Sequence, residues 1–177
     1  MSHKVIVKLD QGLGNQLFQL AYAIWAARAD TSRLVIDASW YDSIPADQTF
    51  RDLSIIEIIQ SLSIPILSLE QIHQFRPITI DTTTSRWDCY CEQIRSIADG
   101  HSVHLIGRGF NYAYVKDASA ILQACMHKAP IDISHEDAAF FRENSVIGVH
   151  LRQGDYLKSR IRKWIGIVNT ADQIREA

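Results

Sequence analysis

Two short segments hold residue types whose order and spacing could do chemistry. The first is Gln11-Gly12-Leu13-Gly14-Asn15-Gln16-Leu17-Phe18-Gln19, directly after an apolar run. Glycines at a strand-to-helix turn let the backbone come close to a ligand. The free N–H groups and the dipole of a helix start suit a phosphate or a carboxylate. Asn15 and Gln16 add amide donors. A tight turn with Asn15 as the helix cap accounts for the same residues without a ligand.

The second segment is Val149-His150-Leu151-Arg152-Gln153-Gly154-Asp155-Tyr156, just past an oily run. In open α/β sheets ligands gather outside the carboxyl ends of the strands. Arg152 offers a planar fork that can hold a diphosphate and stabilise charge developing on a leaving group, with Asp155 placed to orient it. The alternative is a strand-end turn with a surface ion pair of little energetic weight. His101 and His104 stand three apart, but no third ligand has metal-type spacing, so they are read as structural and no metal is expected. Cys89 and Cys91 are too close for an easy disulfide and are read as free thiols.

Hydrophobic periodicity predicts the elements that would position these residues. Lys4 to Leu9 is a β-branched run ending in the glycine turn, and predicts a buried strand. Leu17, Leu20, Ala21, Ile24, Trp25 and Ala27 predict an amphipathic helix from Asn15 to Ala29, with Trp25 and Phe18 in its core. Arg33 to Asp37 predicts a second strand, giving a parallel strand-helix-strand opening. The middle is weakly determined: Leu53 to Ile59 fits a helix or a strand, and Pro65 and Pro77 punctuate the stretch beyond it. Val103 to Ile106 predicts a strand ending at Gly107, and Asp117 to Lys128 a helix. Ser134 to Glu143 predicts a further helix and Ser145 to His150 another strand. Thr170 with Gln173 opens a helix that the sequence ends within, so an incomplete crossover and a truncated chain are expected.

At 177 residues the chain is long enough to bury a core. With 47% hydrophobic and 21% charged residues it departs from the signature of disorder. A net charge of -2 provides no global basic field, so a nucleic-acid partner is not expected; the basic residues concentrate locally after His150. No run reaches the length of a membrane-spanning helix, and the sequence shows no leader-like stretch. A cytoplasmic location is expected, with peripheral attachment to the inner face of the membrane compatible.

Taken together and in order, Gly-Leu-Gly-Asn-Gln-Leu-Phe-Gln and His-x-Arg-x-Gly-Asp-Tyr resemble the two hallmark motifs of the family 11 glycosyltransferases, the α-1,2-fucosyltransferases. The match extends through Tyr22. Leu105 to Asp117, with Gly107, Tyr114 and Lys116, is similar to a family strand and aromatic loop, and Gly166-Ile167-Val168 resembles the continuation. The resemblance implies an α/β fold: a Rossmann-like lobe of a two-lobed GT-B transferase, with the second lobe largely missing. Residues 1–144 would be the acceptor-side lobe and 145–177 the start of the nucleotide-sugar lobe.

The resemblance further implies inverting, metal-independent transfer of L-fucose from GDP-fucose to a galactoside-containing glycan, as in O-antigen biosynthesis. Carried over, it makes Arg152 the diphosphate clamp, with His150 and Asp155 shaping its loop and Tyr156 beside the donor. Gly12, Gly14, Asn15 and Gln16 would line the cleft from the first lobe. The family's second arginine is replaced by Gln153, which removes one charge from the phosphate site.

Two other readings compete. One is an inactive, truncated fragment of such an enzyme. The other is a dinucleotide-binding oxidoreductase: Gly12-Leu13-Gly14 follows a strand, and Asp37 ends the next one where a ribose-binding acid belongs. Against the latter, Leu17 replaces the third glycine and the His150 to Tyr156 segment has no role.

Overall fold

The structure is a computed structural model and describes residues 3–44, 51–83, 91–107, 112–126, 139, 140 and 143. Its compact first unit ends at Pro130. The boundary expected at 144/145, the strand Ser145 to His150 and the helix after Thr170 lie outside the described residues, as does most of the helix Ser134 to Glu143, of which 139, 140 and 143 are helical.

Among the described residues five strands form one parallel sheet. They are β1 (Val5–Lys8), β2 (Leu34–Asp37), β3 (Ile66–Leu67), β4 (Ile78–Asp81) and β5 (Val103–Ile106), in the order β3-β2-β1-β5-β4. The central strand β1 pairs Ile6 with Val35 on one side and with His104 on the other. An α/β fold is therefore present, as the strand and helix alternation predicts.

Strand alternation sorts the core into two faces. Val5, Val7, Leu34, Ile36, Val103 and Leu105 pack with helices α1 (Leu13–Ala26), α2 (Ile56–Ser61), α4 (Cys91–Gly100) and α5 (Tyr112–Met126). Ile6 and Val35 face the other way, toward Ile72 of the short helix α3 (Leu69–His73) and toward Leu67 and Phe75. A Ser68–Gln71 capping box starts α3.

Helix α1 lies between the sheet and α5, which is why Leu20 to Ala26 are all buried instead of forming one apolar stripe. Tyr22 stacks on Tyr114 with 4.9 Å between ring centroids, and the Arg95 guanidinium sits 4.2 Å over the Trp25 ring. Arg95 Nη2 also reaches Asp117 at 2.6 Å. These contacts join α1, α4 and α5.

Several expectations need correction. Helix α1 begins at Leu13, not Asn15, and ends at Ala26, because Arg28 and Ala29 take left-handed backbone (φ 53 and 61°) that cannot continue a helix. Its N-cap is Gly12, with no side-chain cap, so Asn15 is not the cap. Phe18 is 37% exposed and does not belong to the core, whereas Trp25 does. The middle resolves into α2, β3, α3 and β4. Tyr114 and Lys116 lie within α5, which starts five residues before the expected Asp117, so these two residues are on a helix and not in an aromatic loop; Leu105 is on β5, and residues 108–111 lie outside the described residues. Among the described residues no helix is long and apolar enough to cross a membrane.

Candidate functional site

The Gln11-to-Gln19 segment occupies the carboxyl end of the central strand, the address at which parallel sheets bind ligands. Leu9 N–H donates to Asp37 O at 2.9 Å, which carries the chain just beyond the sheet. Gln11 then turns with φ 62°, a left-handed conformation that costs a non-glycine residue about 1 kcal/mol. Two hydrogen bonds to its carbonyl hold it there, from Gln16 Nε2 at 2.8 Å and from the Tyr41 hydroxyl at 3.1 Å. Burial, and after it the negative charge of Asp10, pushes the Tyr41 phenol well above the ordinary tyrosine range and keeps it a protonated donor.

Gln16 is fully buried, and its amide bonds in three directions. Besides Gln11 O, Nε2 donates to Asp52 O at 2.8 Å, and Oε1 accepts from Ile55 N–H at 3.2 Å. The side chain expected to meet a donor substrate therefore staples residues 52–55 to the turn. Gln19, also fully buried, makes a reciprocal pair with Asp10: it accepts from Asp10 N–H at 3.0 Å and donates to Asp10 Oδ1 at 2.8 Å. Asn15 is partly exposed and donates to Gln11 Oε1 at 2.5 Å.

The two glycines differ. A Cβ on Gly12 would meet Arg51 Cδ at 3.7 Å and Nε at 3.8 Å, ordinary contact distances. A Cβ on Gly14 would meet nothing within 4 Å. The first turn of α1 is thus open at Gly14, without a side-chain cap and without an acidic residue. Its N–H groups and the helix dipole favour a polar or negative oxygen here. Such a turn can accept an anionic or strongly polar oxygen.

His150, Arg152, Asp155 and Tyr156, with Gln153, lie outside the described residues. Of the expected site residues, the structure brings together Gly12, Gly14 and Asn15 at the turn and withdraws Gln16 into the interior. Sequence reasoning missed Gln11, Gln19, Tyr41 and Arg51. The helical spacing held one usable sign: Gln16 and Gln19 fall in line with Leu20 and Ala23 on a buried face, where an amide must find partners.

Asp37 does end β2, as the dinucleotide reading requires, but its carboxylate is already engaged. It is 1% exposed, Oδ1 accepts from Ser39 N–H at 2.9 Å, and Oδ2 meets His104 Nε2 at 3.0 Å. Burial raises its pKa, yet the hydrogen bonds from His104 and Ser39 outweigh that and hold the carboxyl below its usual range. At 1% exposure the carboxylate is not presented to a ribose. The His104 ring is thus paired with Asp37 inside the sheet, and among the described residues no cluster of metal-ligating side chains occurs.

Comparison of the chain with protein-family models, with curated proteins and with solved structures returns no match.

Proposed function

We propose that the chain is the acceptor-side lobe, with the opening of the nucleotide-sugar lobe, of a galactoside α-1,2-fucosyltransferase that uses GDP-fucose. The observation that carries this reading is the open, uncapped start of α1 at the carboxyl end of the central strand, built from the Gly-Leu-Gly-Asn motif. An arrangement of backbone N–H groups there is suited to oxygens of a sugar or of the β-phosphate. The His150 to Tyr156 segment supplies the second half of the reading from sequence.

In the proposed reaction the acceptor hydroxyl attacks the anomeric carbon and its proton is released to solvent. The bond from that carbon to the β-phosphate oxygen breaks, and GDP leaves with the electron pair. Arg152 would hold the diphosphate as its charge grows, with His150 and Asp155 shaping the loop. Gly14 and Asn15 would position the sugar, while Gln16, Gln19 and Tyr41 keep the turn in shape without touching the substrate.

The test is release of GDP from GDP-fucose in the presence of a galactoside, comparing the chain with a Gly14→Leu variant. Gly14 faces open space, so leucine there should leave the fold intact and occlude the turn. Turnover that leucine abolishes supports the assignment; turnover unaffected by it removes the turn from the site.

A further inference from the structure

His104 is 8% exposed and takes no part in the reaction proposed above, yet hydrogen bonds at Asp37 and at the Tyr41 hydroxyl, joined through the backbone of residues 39–41, lead from it to the glycine turn. It lies on β5 and Asp37 at the end of β2, on opposite sides of β1 and on the sheet face that α3 covers. The registers place His104 beside Ile6 and Asp37 beside Lys8, so the imidazole reaches diagonally over the central strand to meet Asp37 Oδ2 at 3.0 Å. The other carboxylate oxygen accepts from Ser39 N–H at 2.9 Å. Ser39 opens the 3-10 turn Ser39–Asp42, which contains Tyr41, and the Tyr41 hydroxyl donates to Gln11 O at 3.1 Å.

We propose that His104 is a positioning residue for the Gln11–Gly12 turn, and that its protonation state is conveyed to that turn through Asp37, the 3-10 turn Ser39–Asp42 and the Tyr41 hydroxyl. One buried carboxylate serves both His104 and Ser39. When the imidazole gains a proton, the Asp37 charge is drawn toward Oδ2 and the bond from Ser39 to Oδ1 weakens. Ser39 N–H is the anchor of the short turn that aims Tyr41, so the change reaches the Gln11 carbonyl. Gln11 is the point most responsive to it, because its left-handed backbone is held by hydrogen bonds to that carbonyl.

Other charged groups flank the pair. On the same sheet face are Lys8 of β1 and Asp81 of β4, while β3 contributes only Leu67. Helix α3 carries Glu70 and His73, and Arg76 follows it; Glu70 and His73 are exposed. The hydrogen bonds acting on the Asp37 carboxyl come from His104 and Ser39.

The experiment is a ligand-free pH titration of the chain followed by backbone amide and histidine ring NMR signals. The Ser39 and Gly12 amides should shift with the same midpoint as the His104 ring. His104→Gln keeps a side-chain donor without a titrating proton and should abolish both shifts. Tyr41→Phe, which removes only the last link, should leave the Ser39 shift and abolish that of Gly12; it is decisive alone if the first variant does not fold. A Gly12 shift that survives either substitution overturns the proposal, as does either amide staying still while His104 titrates. No ligand is added, so the outcome is independent of the transferase reading.

Discussion

Replacing Gln16 by methionine separates a stapling role from a ligand-binding role. Methionine keeps the length and much of the volume of glutamine but can neither donate nor accept a strong hydrogen bond. Three partners would be left behind. The Ile55 N–H is buried with Gln16 Oε1 as its acceptor, and stranding such a donor costs about 1–3 kcal/mol. Gln11 O keeps the Tyr41 hydroxyl, and Asp52 O belongs to an exposed residue and can turn to water, so each of these losses is nearer about 0.5–1 kcal/mol. The sum is about 3 kcal/mol. In urea unfolding, at a slope typical of a domain this size, the midpoint should fall by about 1–2 M. A loss below about 1 kcal/mol would refute the staple, and a stable variant that had lost only ligand binding would restore Gln16 to the substrate site.

The same geometry gives three further expected outcomes. Gly107→Ala should destabilise the fold by at least about 2 kcal/mol in the same assay, since Gly107 has φ +121° and a Cβ there would overlap the Thr82 hydroxyl. Gly14→Ala should instead raise stability by about 0.5–1 kcal/mol, because the position is helical and open and alanine narrows the unfolded ensemble. Asp37 has a folded-state pKa below its unfolded one, so its contribution is complete above the unfolded value of about 4 and fades as pH falls through the folded value. Asp37→Asn should therefore lower stability at neutral pH and flatten the acid limb of a plot of urea midpoint against pH. Asp30, Asp81 and Asp99 also have lowered values and share that limb, so the difference between the two proteins isolates Asp37.

The parallel core was legible in the sequence where the local pattern and the tertiary demand agree. Val5 to Lys8, Leu34 to Asp37 and Val103 to Ile106 are β-branched or oily runs, and each lies within or close to the span its pattern predicts. β3 is two residues long and β4 is largely exposed, so neither leaves a hydrophobic signature. The C-terminus of α1 misled because Arg28 and Ala29 adopt left-handed backbone without the glycine or asparagine that normally marks it. Phe18 misled because apolar type alone does not say which side of a helix meets the core.

At the site, the glycine turn was readable but the division of labour within it was not. Asn15 and Gln16 are adjacent amides, and helical geometry points one toward the open turn and the other inward. The partners of Gln16 and Tyr41 come from distant sequence, residues 52–55 and Gln11, and such pairs leave no local spacing to read.

Calorimetric titration of the chain with GDP-fucose, with NAD as the parallel ligand, tests the proposed GDP-fucose-dependent transfer most directly. The chain, which carries the opening of the nucleotide-sugar lobe with Arg152, should bind GDP-fucose, lose that binding in an Arg152→Ala variant, and leave NAD unbound. Binding of NAD would contradict the transferase assignment, and binding of neither nucleotide would contradict donor binding by this chain and favour the inactive, truncated fragment.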